Sequence, residues 1–158
     1  MTIEQQHQQI IQGFYTAFQQ LDAEKMVAHY HDDIQFQDPA FGQLQGEQVK
    51  NMWRMLIERG RDSLKINFYN VKGTATGGHA TWEADYLFGK NRRPIHNVIQ
   101  ADFIISNNKM TKHSDHFNFW KWATMALGTP GQLLGFTPFI RNKVRKNARV
   151  TLENYTAN

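Results

Sequence analysis

Hydrophobic residues in the first 60 positions recur every three or four residues, which is the period of an α-helix. The longest run consists of Ile10, Ile11, Phe14, Tyr15 and Phe18. Two further runs are Met26, Val27 and Tyr30, and Val49, Met52, Trp53, Leu56 and Ile57. Thr2 and Gln5 have capping-box spacing, Asp22 is a helix-starting residue, and Gly60 can end a helix. The pattern therefore predicts three N-terminal helices.

After residue 62 the hydrophobic period changes to two, as expected for β-strands with one buried face. Alternating segments cover residues 64–68, 80–88, 95–105 and 112–119, and the turns TATGG, GKNRRP and SNNK separate them. An earlier strand, IQFQD, lies between the second and third helices. Helices followed by antiparallel strands that hairpins connect indicate an α+β fold.

The stretch from residue 122 to residue 140 contains no charged side chain, but three glycines and two prolines interrupt it. These residues break a continuous membrane-spanning helix, so no transmembrane segment is predicted. We expect a packed loop with short helical pieces, followed by a last helix after Pro138. Arg141, Arg145 and Arg149 form a stripe along that helix.

The composition and charge of the chain exclude some classes of protein and some kinds of chemistry. At 158 residues the chain is expected to form one domain with a substantial core. It contains no cysteine, which excludes disulfides and thiolate chemistry, and its start, MTIEQQHQQ, is unlike a signal peptide. A cytoplasmic location is therefore expected. The net charge of +4 arises from the C-terminal segment, where residues 116–151 include six basic side chains and no acidic one. Such a segment forms a solvated face or binds an anionic surface.

Five polar side chains lie on otherwise apolar faces of the predicted elements. They are Tyr15, Asp38, Asn97, His113 and Asp115. Burying such groups is unfavourable unless they have partners or line a wet cavity. Burial also raises the pKa of a carboxyl group, which makes the group a better base near neutral pH. Asp38 therefore has two interpretations, a catalytic base or a turn residue in an Asp-Pro step.

His113 and Asp115 are two residues apart on one strand, so their side chains are neighbours on the same face. The carboxylate can orient the imidazole and favour its protonated form. HSDH does not predict a metal site, because His113 and His116 point to opposite faces of a strand. The sequence contains no phosphate loop, dinucleotide fingerprint or RNA-binding signature. We therefore predict no metal, no cofactor and no nucleic-acid partner.

One part of the chain resembles a known superfamily. Residues 13–53 read GFYTAFQQLDAEKMVAHYHDDIQFQDPAFGQLQGEQVKNMW. They resemble the nuclear transport factor 2-like superfamily, in particular its SnoaL-like polyketide cyclase and ketosteroid isomerase branch. The resemblance implies a cone-shaped α+β barrel, in which a curved antiparallel sheet wraps around three helices and leaves a deep apolar pocket. It extends to about residue 120, so residues 1–120 are predicted to form the barrel domain. Residues 121–158 are predicted to be a C-terminal helical extension packed over the pocket mouth or a dimer interface.

The resemblance also implies roles for individual residues. Asp38 matches the general base of ketosteroid isomerase, and Tyr15 matches its oxyanion donor. The second, protonated Asp of that enzyme corresponds to Ala101, so steroid isomerisation is not expected. In SnoaL-like cyclases an inward Asp near the end of the sheet acts as acid and base, which suits Asp115 or His113. Epoxide hydrolase relatives use an Asp-Arg-Asp set, and no inward strand position holds an Arg, so that chemistry is not expected.

The leading prediction is an isomerase or cyclase that transfers protons next to the carbonyl group of a small apolar molecule. Asp38 removes the proton, Tyr15 and Asn97 stabilise the enolate, and His113 with Asp115 returns the proton. The predicted substrate-binding residues are Asn97, Phe14, Trp53, Trp82, Tyr86, Phe103 and Phe117. The alternatives are a non-catalytic ligand carrier, a dimeric interaction module and a binder of anionic surfaces. The resemblance also implies a homodimer.

Overall fold

The computed structural model describes residues 1–156. Its N-terminal helices are α1 (Ile3–Gln19), α2 (Ala23–Val27) and α3 (Glu47–Gly60). α1 begins at the predicted capping box, where the Thr2 side chain accepts a hydrogen bond from the Gln5 amide and the Gln5 side chain accepts one from the Thr2 amide. The Asp22 side chain caps α2 by accepting a hydrogen bond from the Lys25 amide. The assignment of Tyr30 to the second helix is wrong, because its backbone pairs with Met110 in the sheet.

Within residues 1–156, six strands form one curved, open sheet. They are β1 (Tyr30–Asp38), β2 (Gly42–Gln45), β3 (Lys65–Gly73), β4 (Gly77–Phe88), β5 (Arg93–Ser106) and β6 (Lys109–His116). Their order across the sheet is β2-β1-β6-β5-β4-β3. Neighbouring strands are antiparallel except β1 and β6, which are parallel. Together with the helices, this sheet confirms the predicted α+β fold.

The inward face of the sheet follows the predicted alternation. On β5 the buried side chains are Ile95, Asn97, Ile99, Ala101, Phe103 and Ile105. On β6, His113 and Asp115 are buried, whereas His116 faces solvent. Phe103 of β5 and His113 of β6 pack against Phe14 of α1. One continuous cluster of large side chains therefore fills the space between the helices and the sheet.

The C-terminal segment is more helical than the sequence predicts. It consists of α4 (Phe119–Leu127), α5 (Thr129–Leu134) and α6 (Pro138–Thr156). Asn118 starts α4 by accepting a hydrogen bond from the Lys121 amide, so the strand predicted to reach residue 119 ends at His116 and a helix begins at Phe119. A second apolar cluster contains Ile95, Phe119, Trp122, Ala123, Ala126 and Ile140. Leu152 of α6 joins the main core. None of the helices formed by the described residues is long and apolar enough to cross a membrane.

Candidate functional site

Two carboxylates lie at the same edge of the sheet because β1 and β6 are parallel neighbours. Gln37 of β1 pairs with Ser114 of β6. The next residues, Asp38 and Asp115, therefore lie side by side near the ends of their strands. Asp115 is buried and Asp38 is half-buried. The topology thus brings together two acidic groups that are far apart in the sequence.

A chain of buried hydrogen bonds holds Asp115 in place. The indole Nε1 of Trp53 donates to the Tyr30 hydroxyl at 2.8 Å, and that hydroxyl lies 2.7 Å from His113 Nδ1. His113 Nε2 lies 2.8 Å from Asp115 Oδ1. The same oxygen accepts a longer hydrogen bond, of 3.3 Å, from Trp82 Nε1. The side chains of His113 and Asp115 are 0% and 2% exposed, so this network lies almost entirely inside the protein.

The positions of the protons in this chain follow from the available donors. The Tyr30 hydroxyl accepts from Trp53, so its own proton is free to be donated to His113 Nδ1. The ring proton then lies on Nε2, which donates to Asp115. In this arrangement both ring nitrogens of His113 and the Tyr30 hydroxyl have a hydrogen-bond partner.

Aromatic rings enclose His113. The ring centroid of Phe103 lies 4.3 Å from that of the imidazole, and Trp53 stacks on it at 6.0 Å. Phe14 and Phe36 meet it edge-on at 5.6 and 5.1 Å. Three of the predicted substrate-binding aromatics thus form the core around the histidine. His113 reaches the edge of the sheet only through the carboxylate that it contacts.

Asp38 ends β1 and caps the turn that follows. Its Oδ1 accepts a hydrogen bond from the Phe41 amide at 2.5 Å, as the turn interpretation predicts. Burial raises the pKa of Asp38 from its usual 3.8 to about 7, and the charge of Asp115 acts in the same direction. The amides of Phe41 and Ala40 and the charge of Arg145 oppose this increase. One side chain therefore caps a turn and also presents a carboxyl group with a near-neutral pKa.

Asp38 and Asp115 share an open cleft of about 430 Å³. α6 contributes Arg145 and Arg149 to its lining. Arg149 is fixed by hydrogen bonds to two backbone carbonyls near the β1–β2 turn, at 2.9 and 2.6 Å. Arg145 lies against Gly42, whose φ of 74° and lack of a Cβ leave room for the arginine side chain. The cleft is therefore polar and carries both signs of charge, unlike the apolar pocket that the resemblance implies.

No sequence pattern marks Tyr30, Arg145 or Arg149 as site residues. Tyr30 is obscured by its helix-like spacing from Met26 and Val27. The two arginines lie on the last helix, so in the sequence they form only part of its basic stripe, and strand alternation gives no direction for them. Among residues 1–156, no group of three or more His, Asp or Glu side chains is placed to hold a metal ion.

Other predicted residues lie at the same edge of the sheet as the carboxylates. Tyr86, near the end of β4, accepts a hydrogen bond from Trp122 Nε1 at 2.9 Å. Burial raises the pKa of the Tyr86 hydroxyl, the Trp122 hydrogen bond lowers it, and the charge of Asp38 raises it slightly. Asn97 is buried on the neighbouring strand, and Phe117, directly after β6, is half-buried. Of these three side chains, Tyr86 lies within electrostatic reach of Asp38.

Tyr15 lies within the core. Its hydroxyl is buried and has no hydrogen-bond partner among the described residues. Its ring stacks on Phe68 and meets Phe103 edge-on. Burial raises the pKa of Tyr15 well above its usual value, so the hydroxyl keeps its proton. The oxyanion role that the resemblance gives to Tyr15 stays a prediction.

Replacing Tyr15 by Phe is expected to leave the free energy of unfolding unchanged or to raise it by up to about 1 kcal/mol. The substitution removes an unsatisfied buried hydroxyl and keeps the ring. Tyr30→Phe is the matched control, because its hydroxyl bridges Trp53 and His113, and a loss of about 1–3 kcal/mol is expected there. Urea denaturation measures both values. Equal losses in the two variants would show that the Tyr15 hydroxyl has a partner after all.

The chain belongs to the SnoaL-like family. The family model described as a SnoaL-like domain matches residues 11–113, which is more than half of the chain. The matched residues include Asp38 and His113 and end shortly before Asp115. α6, with Arg145, lies outside the match. A comparison with curated proteins gives no match.

Solved structures of proteins with several different assigned activities share this fold. A candidate polyketide cyclase from Xanthomonas campestris pv. campestris is 15% identical with a TM-score of 0.64, covering 78% of this chain and 98% of its own. An M. tuberculosis LEH-like epoxide hydrolase is 13% identical with a TM-score of 0.62, covering 87% and 96%. A candidate isomerase from Bacillus subtilis is 11% identical with a TM-score of 0.60, covering 81% and 96%. At these identities the likeness shows the fold alone.

Proposed function

We propose that this protein is an isomerase- or cyclase-type enzyme that moves protons next to the carbonyl group of a small molecule. The reaction would take place in the cleft between β1, β6 and α6. The observation that supports this proposal is the pair of carboxylates, Asp38 and Asp115, that faces one cleft, with the pKa of Asp38 raised to about 7. A base with a pKa near the working pH combines a large deprotonated fraction with useful basicity.

In this proposal Asp38 removes the proton from the carbon beside the carbonyl group. The electron pair of the broken C–H bond becomes part of an enolate. The proton then returns to carbon from Asp38 or from Asp115, which completes an isomerisation or prepares a ring closure. His113 is a positioning residue, because both of its ring nitrogens are engaged and it contacts the cleft only through Asp115.

The enolate oxygen needs a hydrogen-bond donor at the open end of the sheet. Tyr86 suits this role, since its hydroxyl accepts from Trp122 and keeps its own proton for a ligand. Asn97, on the adjacent strand, is the second candidate donor. This assignment moves the role that the resemblance gives to Tyr15 to a residue that lies closer to the charge of Asp38.

Exchange of ketone protons with D₂O tests the proposal. Acetophenone, 4-oxopentanoate and methyl 4-oxopentanoate each carry exchangeable hydrogens next to a ketone, and proton NMR follows their loss. At least one of the three is expected to exchange faster with the protein than in buffer alone. Equal rates with and without protein for all three would contradict the enzyme proposal and favour the non-catalytic ligand carrier. The homodimer and the cytoplasmic location stay predictions.

A further inference from the structure

Arg145 has a polar atom for which the protein provides no partner. Its Nε is buried and makes no hydrogen bond within residues 1–156. The arginine one turn further along α6, Arg149, by contrast donates from its Nε to the Phe41 carbonyl and from Nη2 to the Gln43 carbonyl. A buried N–H without an acceptor is unfavourable, so the protein leaves the guanidinium of Arg145 incompletely hydrogen-bonded.

The carboxylates of the cleft do not provide that acceptor. Within the described part of the chain, Arg145 makes no ion pair with Asp38 or Asp115 at 4.0 Å or less, although all three residues line the same cleft. The charge of Arg145 nevertheless lowers the pKa of Asp38, which places the guanidinium within electrostatic reach. A cleft of about 430 Å³ lies among these three side chains and can hold a small molecule.

The guanidinium group and its surroundings define the chemistry of the missing acceptor. The N–H groups of a guanidinium form a planar fork, and two of them can donate to the two oxygens of a carboxylate. The segment that carries Arg145 has no acidic residue from 116 to 151, so its potential attracts anions. Two carboxylates in the same cleft would repel a doubly charged phosphate more strongly than a singly charged carboxylate.

We propose that Arg145 binds the carboxylate of an oxo-acid substrate, so that the cleft takes an anionic carbonyl compound instead of an apolar one. The proposal rests on the proposed function for the carbonyl group, whereas the recognition of the anion by Arg145 can be tested separately. The last helix, which lies outside the matched family domain, would then determine substrate class while the sheet supplies the acid–base groups.

The test compares 4-oxopentanoate with its methyl ester, which keeps the ketone and removes the charge. Titrations of both into the ¹⁵N-labelled protein, followed at the amides of Phe41 and Gly42, give dissociation constants. We expect the acid to bind more tightly than the ester. Arg145→Gln is expected to weaken binding of the acid by about 10- to 100-fold and to leave the ester unchanged. Lys143→Gln is the matched control, since it removes one exposed charge from the same helix.

Each outcome separates this inference from the proposed function. Equal affinities for the acid and the ester, or an unchanged affinity for the acid in Arg145→Gln, overturn the anion site. Failure of both probes to bind overturns it as well. Binding of the acid through Arg145 without any D₂O exchange supports the anion site and contradicts the enzyme. Exchange of acetophenone or the ester at least as fast as that of the acid supports the enzyme and contradicts the anion site.

Discussion

Replacing Asp38 by Asn is expected to lower the rate of proton exchange on the best of the three ketone probes by about 10²- to 10⁴-fold, the usual contribution of a general base. The asparagine keeps an Oδ1 that can accept the Phe41 amide, so the turn and the fold are retained. The variant therefore removes the proton acceptor and leaves the capping interaction. Proton NMR in D₂O measures the rates, and circular dichroism confirms that the fold is unchanged.

The pH dependence gives this prediction a second measurement. Because the base must be deprotonated, the rate should rise with pH and level off above about 7, the pKa of Asp38 in the folded protein. The charged or titratable groups that face Asp38 are Asp115 and His116 from β6, Tyr86 from β4, and Arg145 and Arg149 from α6. Arg145→Gln removes a charge that lowers this pKa, so the rate profile should move to higher pH in that variant.

The same raised pKa affects stability. Between pH 4 and about pH 7 the folded protein keeps the Asp38 proton that the unfolded chain releases. The free energy of unfolding therefore contains a contribution that is fully present at low pH and is lost as the pH rises toward 7. Asp38→Asn should remove that contribution, which makes the stability of the variant less dependent on pH in this range.

Asp33→Asn is the control for both measurements, because Asp33 is an exposed residue of the same strand. It should leave the exchange rate and its pH profile unchanged. An exchange rate in Asp38→Asn equal to that of the unmodified protein would show that Asp38 is only a turn residue. Asp115 would then be the candidate base, and Asp115→Asn would be the variant with the lowered rate of proton exchange.

Alternation along single strands predicts much of the candidate site. The strict alternation of β5 identifies Asn97 as an inward residue, and the spacing of two on β6 identifies His113 and Asp115. The structure buries all three. Side chains alternate between the two faces of a strand. A polar side chain two positions from an apolar, buried one therefore points to the same, inward face. The same alternation includes Asp38, and the family resemblance adds its expected role as the general base.

Contacts between distant segments could not be predicted in this way. Nothing in the local sequence shows that β1 and β6 are parallel neighbours, yet this pairing is what places Asp38 beside Asp115. The Tyr30–His113 hydrogen bond joins residues 83 positions apart. Arg145 lies on a helix that follows the matched domain. The regular spacing of the basic residues on that helix is equally typical of a solvent-exposed face. These features depend on tertiary packing, which hydrophobic periods do not encode.

The sequence also does not predict how the inward aromatic side chains pack. Their inward direction is predicted, but the sequence does not show whether they line a cavity or fill it. Phe14, Trp53 and Phe103 pack within 6.0 Å of the His113 ring, measured between ring centroids, and they fill the interior. As a result, the cleft lies at the edge of the sheet, where polar side chains from β1, β6 and α6 meet.

Replacing His113 by Leu is expected to lower the free energy of unfolding by about 3–5 kcal/mol. Leucine fits an aromatic environment in size and polarity, so the loss arises from hydrogen bonds. Asp115 would keep only the longer hydrogen bond from Trp82, and the Tyr30 hydroxyl would lose the acceptor for its proton. Leaving a buried carboxylate with too few partners is among the most unfavourable single changes in a protein core.

His96→Leu is the matched control for this variant. His96 also lies near two carboxylates, 2.7 Å from Asp85 and 3.1 Å from Glu83, but its side chain is 51% exposed. Solvent screens such a pair, so a change of at most about 1 kcal/mol is expected. Urea denaturation compares the two variants.

In a double-mutant cycle with Tyr30→Phe, His113→Leu should show a coupling of about 0.5–3 kcal/mol, because the two side chains share one hydrogen bond. Equal losses in the His113 and His96 variants, or independent effects of Tyr30 and His113, would show that the buried chain does not hold Asp115. Asp115 would then need another source of its fixed position, and His113 would lose its positioning role.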